Sequence, residues 1–365
     1  MINMKKAMIY AYTQFNLGDD LFIKILCERY PDTTFMLYAP SGYKQTFKEL
    51  ANIRIIPSEK LIFKGLNFLF RRFHIYSFTR RLIAKSCNMA IQIGGSLFIQ
   101  GENWREELNH NKTMQLKDKP FFLLGANFGP FSDKAFFKEY KELFRTYTDI
   151  CFRENYSYDL FSDLPQVRMA DDIIFQLKEP ATAKQEKRVV LSVIKPSIRK
   201  HLAGCDTVYY QKMTEIAVFF IEKGYHVTLM AFCGMEKDDE AVEMIMGQIP
   251  PGYKNSITKH FYRSNIDETL NLLATSSFIV ASRFHAMILG WVMNKRVFPI
   301  VYSNKMTNVM QDAGFTGAYT DFSTIQTLEA EAVFASMQTN IMDVTQQVQC
   351  AEKHFEVLDH YLKKD

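Results

Sequence analysis

Read for its apolar positions, the chain alternates short, nearly continuous hydrophobic runs with longer stretches at helical spacing. "KAMIYAY", "TTFMLYA", "IRIIP", "MAIQIGG", "PFFLLGANFG", "DICFREN" and "QVRMADDIIF" are the runs of the first half. A polar, proline-bearing stretch without periodicity follows at 177–188 and reads as a linker. The alternation then restarts with "VVLSVIKPS", "HVTLMAF", "SITKHFYR", "SSFIVAS" and "RVFPIVYS", with helices expected at 208–223 and after "KDDE". Strands apolar on both faces and joined by helices belong to parallel sheets covered on both sides. The pattern predicts an α/β protein of two Rossmann-like, doubly wound domains facing across a cleft. Their expected bounds are 1–178 and 188–335, with a charged helical tail over 336–365. In such folds ligands sit beyond the carboxyl ends of the strands, so chemistry is sought there.

Composition narrows this picture. At 365 residues the chain exceeds one ordinary domain, and 47% hydrophobic residues with 31 Phe argue against long disorder. A net charge of only +4 leaves no footprint for nucleic acid, and none is expected as a partner. The six cysteines lie far apart without a CxxC pair, so reduced thiols are expected and no metal or other cofactor. The opening "MINMKKAMIYAY" lacks the features of a signal peptide, and no window reaches the roughly eighteen apolar residues of a membrane span. A soluble, cytoplasmic protein is expected. One segment keeps a peripheral contact with the inner face of the membrane open. Residues 61–85 carry Lys64, Arg71, Arg72, Arg80, Arg81 and Lys85 among Phe, Leu and Ile, with no acidic residue. Such an amphipathic helix suits an anionic bilayer, or else a sheet edge with solvated arginines.

At the strand ends, "FNLGDD" offers Gly18 for a turn and Asn16 or Asp19 as helix caps. "QIGGSLF" places Gly94 and Gly95 where backbone N–H groups can face an anion or sugar oxygen, or simply form a tight turn. In "GANFGP", Gly125 and Gly129 shape a loop, and Asn127 reaches a ligand or holds that loop. Arg153 leaves a short strand in "CFRENYSYDLF"; it faces the cleft, or pairs with Glu154 or Asp159 on the surface.

"SRFHAMILG" carries the most. A strand over 277–281 sets Arg283 and His285 at a helix start, where backbone donors and the dipole's positive end point as well. Guanidinium suits carboxylate and phosphate, and imidazole moves protons near neutral pH. The bland reading is a core histidine beside an arginine covering the sheet end. Lys195, Ser303 and Lys305 also end strands of the second half, "KDDE" suits a helix's first turn, and Asp171 and Asp172 hold local structure near the domain junction.

In order and spacing, "NLGDD", "GGSLF", "GANFGP", "CFRENYSYDLF", "ADDIIF", "SRFHAMILG" and "YSNKM" resemble the polysaccharide pyruvyl transferase family from about residue 8 to 310. Phe284 stands where that family usually has leucine, Asn127 where glutamine is frequent, and Asp172 where proline often follows the aspartate. The resemblance implies a GT-B-like fold. It implies transfer of a pyruvyl group from phosphoenolpyruvate onto two hydroxyls of a sugar, in an exopolysaccharide or its lipid-linked precursor, with release of phosphate. It also implies a donor pocket of Arg153, Arg283, Phe284 and His285, with Lys195 and Lys305 in reach and His285 as acid/base. Asn16, Gly18, Asp19, Gly94, Gly95 and Asn127 would shape loops or the acceptor side. The alternatives are a GT-B glycosyltransferase using a nucleotide sugar, with "GMEKDDE" supplying the carboxylate, and a non-catalytic carbohydrate-binding protein.

Overall fold

The continuous apolar runs fold into parallel strands. In the computed structural model, residues 5–71, 78–116, 118–178 and 184–363 are described. Residues 72–77 of the basic segment and 179–183 of the expected linker lie outside them. Contacts divide the chain into one unit of Met1–Thr13, Asp19–Ile173 and Gln349–Asp365, and another of Gln14–Gly18 and Ile174–Val348.

The first unit holds β1 (Lys6–Tyr10), β2 (Thr34–Ala39), β3 (Ile53–Pro57), β4 (Met89–Ile93), β5 (Phe121–Ala126), β6 (Asp149–Phe152) and β7 (Val167–Met169). Their order is β3-β2-β1-β4-β5-β6-β7, with every pair parallel. β4 and β5 are buried at every position, which is why they read as unbroken hydrophobic runs. Against the sheet packs an aromatic cluster in which Phe128 meets Phe161 edge-on at 4.8 Å and Phe98 meets Phe144 at 5.1 Å.

The second unit holds β8 (Arg188–Ser192), β9 (His226–Ala231), β10 (Ile257–Phe261), β11 (Phe278–Ala281), β12 (Arg296–Val301) and β13 (Thr320–Asp321). The order is β10-β9-β8-β11-β12-β13, again all parallel. The direction of winding therefore reverses between β1 and β4 in one sheet and between β8 and β11 in the other, the places where doubly wound folds open a crevice.

One local expectation differs from the structure, and one element left no expectation at all. Ile173–Gln176, read as part of a strand, is a 3-10 turn. The edge strand Thr320–Asp321 is two residues long, too short to leave a pattern. In the basic segment the described residues Leu61–Arg71 and Phe78–Lys85 are helical, as expected, and Arg72 lies outside the described residues. Within the expected tail, the last seventeen residues belong to the first unit. Phe355 and Leu358 are fully buried, and Asp359 accepts from Arg29 Nη2 at 2.8 Å and Tyr30 Oη at 2.6 Å.

Candidate functional site

Each unit gathers its polar side chains at the carboxyl ends of its strands. In the first, Arg153 follows β6, and its backbone N–H donates to the Ala126 carbonyl at 3.1 Å. The guanidinium is buried and donates to Asp172 Oδ2 at 2.9 Å and Asn127 Oδ1 at 2.6 Å. Asn127 Oδ1 also accepts from Ser96 Oγ at 3.2 Å. Glu154 is itself buried and accepts from Ser157 Oγ at 2.6 Å, and Ser157 in turn holds the Phe128 N–H at 2.8 Å. Asp172, read from the sequence as local scaffolding, is the carboxylate that balances Arg153.

Gly95 makes this possible. A Cβ there would sit 2.4 Å from Arg153 Nη1, so the guanidinium lies where any larger residue's side chain would start. Its neighbour Gly94 stands at φ +152°. Gly125 at φ +75° and Gly129 at φ +98° turn the β5 end, with a register shift between Leu124 and Ala126.

In the second unit, β11 ends at Ala281 and the helix Phe284–Val292 begins after Arg283. The Arg283 N–H donates to Ser192 Oγ at 3.2 Å, tying the helix start to the end of β8, and Tyr209 Oη donates to Ser282 Oγ at 2.8 Å. The buried Arg283 guanidinium pairs with Glu236 Oε2 at 2.6 Å through Nη1 and with Asp238 Oδ1 through Nη2. Asp238 Oδ2 accepts the N–H groups of Phe232 and Cys233 at 3.1 and 2.9 Å. The first turn of the "KDDE" helix thus provides a buried partner for arginine besides a favourable end charge.

Arg199 reaches the same Glu236 oxygen, also at 2.6 Å, so one carboxylate oxygen joins two guanidinium groups. Arg199 lies over the Tyr302 ring at 4.3 Å; Lys305 sits 5.3 Å from that ring and 5.5 Å from that of Phe284. His201 Nε2 is 3.1 Å from the Tyr302 carbonyl. Two buried donors of this group, Arg283 Nε and Arg199 Nη1, have no hydrogen-bond partner among the described residues.

The electrostatics follow from this crowding. Burial opposes ionisation of Glu236, yet Arg283 and Arg199 bring its carboxyl down to about 2. Burial pushes Asp238 up to about 6, with Arg283 opposing the rise. Burial works against the charge on Arg283, and Asp238 and Glu236 more than offset it. Tyr302 is lowered because Lys305, Arg199 and Arg283 outweigh its burial.

His285, half-buried, stands with its ring 5.0 Å from that of Phe284, edge to face. Gly18 lies against it: a Cβ at Gly18 would fall 1.7 Å from Nδ1. Gly18 is not in the left-handed region. Its absent side chain, not a turn, is therefore what the structure uses. Asn16 precedes the helix Leu17–Arg29 and accepts the Gly18 N–H at 3.1 Å.

The second unit thus brings Arg283, Phe284, His285 and Lys305 together, with Gly18 and Asn16. The first gathers Arg153, Gly95 and Asn127, with Asp19 Oδ1 3.5 Å from where a Gly94 Cβ would stand. Lys195 instead donates to Glu240 Oε2 at the surface. Sequence reading missed Arg199, His201 and Tyr302, and held Glu236 only within "GMEKDDE", as the carboxylate of a nucleotide-sugar enzyme. The basic cluster "IRKH" just past β8 was the available signal for the first two.

Comparison with known proteins agrees with this architecture. The sequence profile of the polysaccharide pyruvyl transferases matches residues 16–304. The amylovoran biosynthesis protein AmsJ of Erwinia amylovora is 21% identical over 320 residues, covering 80% of this chain and 75% of that one. Among solved structures, a UDP-GlcNAc 2-epimerase of Neisseria meningitidis bound to UDP-GlcNAc has a TM-score of 0.59 at 8% identity, over 99% of this chain and all of that one. The S. aureus MnaA–UDP complex has a TM-score of 0.59 at 12% identity, over 99% of this chain and 97% of that one. At such identities the structural likeness speaks for the GT-B-like fold alone. The profile spans both units and takes in Gly18, Arg153 and the Arg-x-His helix start, and on that ground the chain belongs to the polysaccharide pyruvyl transferase family.

Proposed function

We propose that the protein transfers the pyruvyl group of phosphoenolpyruvate onto two hydroxyls of one sugar residue, forming a cyclic ketal and releasing phosphate. The observation that carries this reading is the pair of unpartnered guanidinium nitrogens, Arg283 Nε and Arg199 Nη1, buried beside the His285 helix start. Arg283 and Arg199 meet the carboxylates Glu236 and Asp238, and Lys305 lies beside them over Tyr302 and Phe284. Free guanidinium donors in such a place suit the phosphate and carboxylate of a compact anion.

In the proposed reaction His285 delivers a proton to the methylene carbon, which becomes a methyl group and leaves positive character on the neighbouring carbon. One sugar hydroxyl adds there. The second then displaces phosphate, forming the other ketal C–O bond as the C–O bond to phosphorus-bearing oxygen breaks. Of the two hydroxyl protons released, one replaces that taken from His285 and the other leaves with phosphate or solvent.

A nucleotide-sugar enzyme would need a carboxylate for ribose, and Glu236 and Asp238 are already bound by arginine. The test is incubation with phosphoenolpyruvate and a glycan acceptor, beside a panel of nucleotide sugars. Phosphate release is expected; nucleotide release in its place overturns the reading. His285→Ala should lower kcat by about 10²–10⁴ while largely sparing donor binding. Arg199→Gln is the cleaner probe of donor affinity, since removing Arg283 leaves the buried Asp238 carboxylate without its arginine, at about 3–5 kcal/mol.

No helix among the described residues is long and apolar enough to cross a membrane. We place the enzyme in the cytoplasm, touching the anionic inner leaflet through residues 61–85. Leu61, Ile62, Phe68, Leu69 and Leu82 are exposed there, beside Lys64 and Lys85. Co-sedimentation with liposomes should rise with anionic lipid content; a flat response removes the contact.

A further inference from the structure

A cavity of about 670 Å³ opens in the first unit. It lies beyond the carboxyl ends of β1 and β4, where the winding of that sheet reverses. Tyr10, Tyr12, Asn67, Arg80, Gln92 and Asn109 line it, with Glu106 and Glu107 exposed at its rim. Amide, phenol and carboxylate groups in this mixture match the donors and acceptors of sugar hydroxyls.

Arg80 is the unusual member. Its guanidinium lies between two rings, 5.9 Å from Tyr10 and 5.5 Å from Tyr38, and Nη1 is 3.3 Å from His110 Nε2. Burial, aided by the Arg80 charge, brings His110 down to about 4, so near neutral pH the imidazole is uncharged and accepts from Arg80. Arg29, Arg153, Arg168 and Arg283 each meet a carboxylate. Among the described residues Arg80 meets none, and burial pulls its own pKa down. A guanidinium withdrawn from water without an anion is destabilising. At the wall of a sugar-sized cavity, a ligand can supply the missing charge.

We propose that this cavity is the acceptor subsite and that it selects an anionic saccharide, whose oxyanion pairs with Arg80 while its hydroxyls meet Asn109 and the rim carboxylates. Only the word acceptor rests on the pyruvyl-transfer reading; the binding itself stands on the cavity and the uncompensated arginine. The oxyanion is either a uronate carboxylate or the phosphate that links a sugar to a lipid carrier.

The experiment is calorimetric binding of three probes to the full chain: a glucuronic-acid disaccharide, its neutral glucose counterpart, and a sugar diphosphate bearing a short isoprenoid. One anionic probe should bind tighter than the neutral disaccharide by on the order of tenfold to a hundredfold, as a charged hydrogen bond provides. Which of the two does so identifies the source of the charge. Arg80→Gln should erase the preference and leave phosphoenolpyruvate binding unchanged. Equal binding of all three probes by the unmodified protein overturns the proposal, and this arm needs no variant to fold. A preference that survives in Arg80→Gln overturns it as well. Failure of phosphate release from phosphoenolpyruvate would sink the reaction while leaving the saccharide result intact.

Discussion

Replacing Gly18 by alanine should disable the enzyme through a residue that does no chemistry. The new methyl carbon would stand 1.7 Å from His285 Nδ1 and 2.3 Å from Cε1 and Cγ. Comfortable contact needs about 3.5 Å, so something must move by roughly 1.8 Å. The Gly18 backbone is anchored by Asn16 Oδ1 on its own N–H, and next to it Leu17 N–H donates to the Phe232 carbonyl at 3.3 Å. His285 belongs to a helix whose residues are otherwise buried, so its half-buried ring is the part that must give way. A displacement of about 1 Å at a reacting group can cost on the order of 10² in rate, and loss of acid–base help about 10²–10⁴. Overpacking should destabilise the fold by only about 1–3 kcal/mol, which thermal unfolding will register. The assay is phosphate release from phosphoenolpyruvate at saturating acceptor, for Gly18→Ala, His285→Ala and the double variant. The double variant should be no slower than His285→Ala, because both changes remove the same imidazole. Full activity in Gly18→Ala, or losses that simply multiply, would refute the argument.

Two pH effects follow from buried charges. Glu236 has a folded pKa of about 2 against its ordinary 4.5, so the stability it adds is complete above pH 4.5 and disappears as pH falls toward 2. The size is roughly 3 kcal/mol at most, and Glu236→Gln should trail the unmodified protein in urea-unfolding midpoint at neutral pH, with the gap closing across that window. A gap that stays constant with pH would exclude the ion pairs as its source. His354, fully buried with Nε2 donating to the Asp171 carbonyl at 2.8 Å, is held by burial at about 3 against its ordinary 6.5. Its contribution is therefore present above pH 6.5 and lost as pH drops from there toward 3, because only the unfolded chain takes up the proton. His354→Gln should soften acid unfolding between pH 6.5 and 4; identical acid slopes in the two proteins would dismiss this residue.

Much of the fold was legible because strands buried on both faces leave uninterrupted apolar runs, as β4 and β5 do. Thr320–Asp321 left no run to read, and Ile173, Ile174 and Phe175 are apolar because they are buried, although their backbone turns. At the site, Arg283 and His285 were legible because a strand end and a helix start meet within a few residues. Arg199 and Tyr302 were not, and Glu236 was held only as a nucleotide-sugar carboxylate, since they come from three other connections that only the order β9-β8-β11-β12 brings together. Arg153 was found but its partner was not: nothing in "ADDIIF" tells which aspartate faces a buried arginine nineteen residues earlier. Gly18 was singled out for the wrong property, since sequence reveals that a residue lacks a side chain but not what occupies the space.

The assignment of residues 349–365 to the first unit bears on how the protein is made. On the ribosome, β1 to β7 are complete long before Phe355, Leu358 and Asp359 exist, so Arg29 and Tyr30 wait for their partner through the synthesis of the entire second sheet. The half that is translated first is therefore the half that finishes last. Expressing the chain only as far as the apparent boundary would yield a sheet with its closing segment missing, however natural that cut looks on paper.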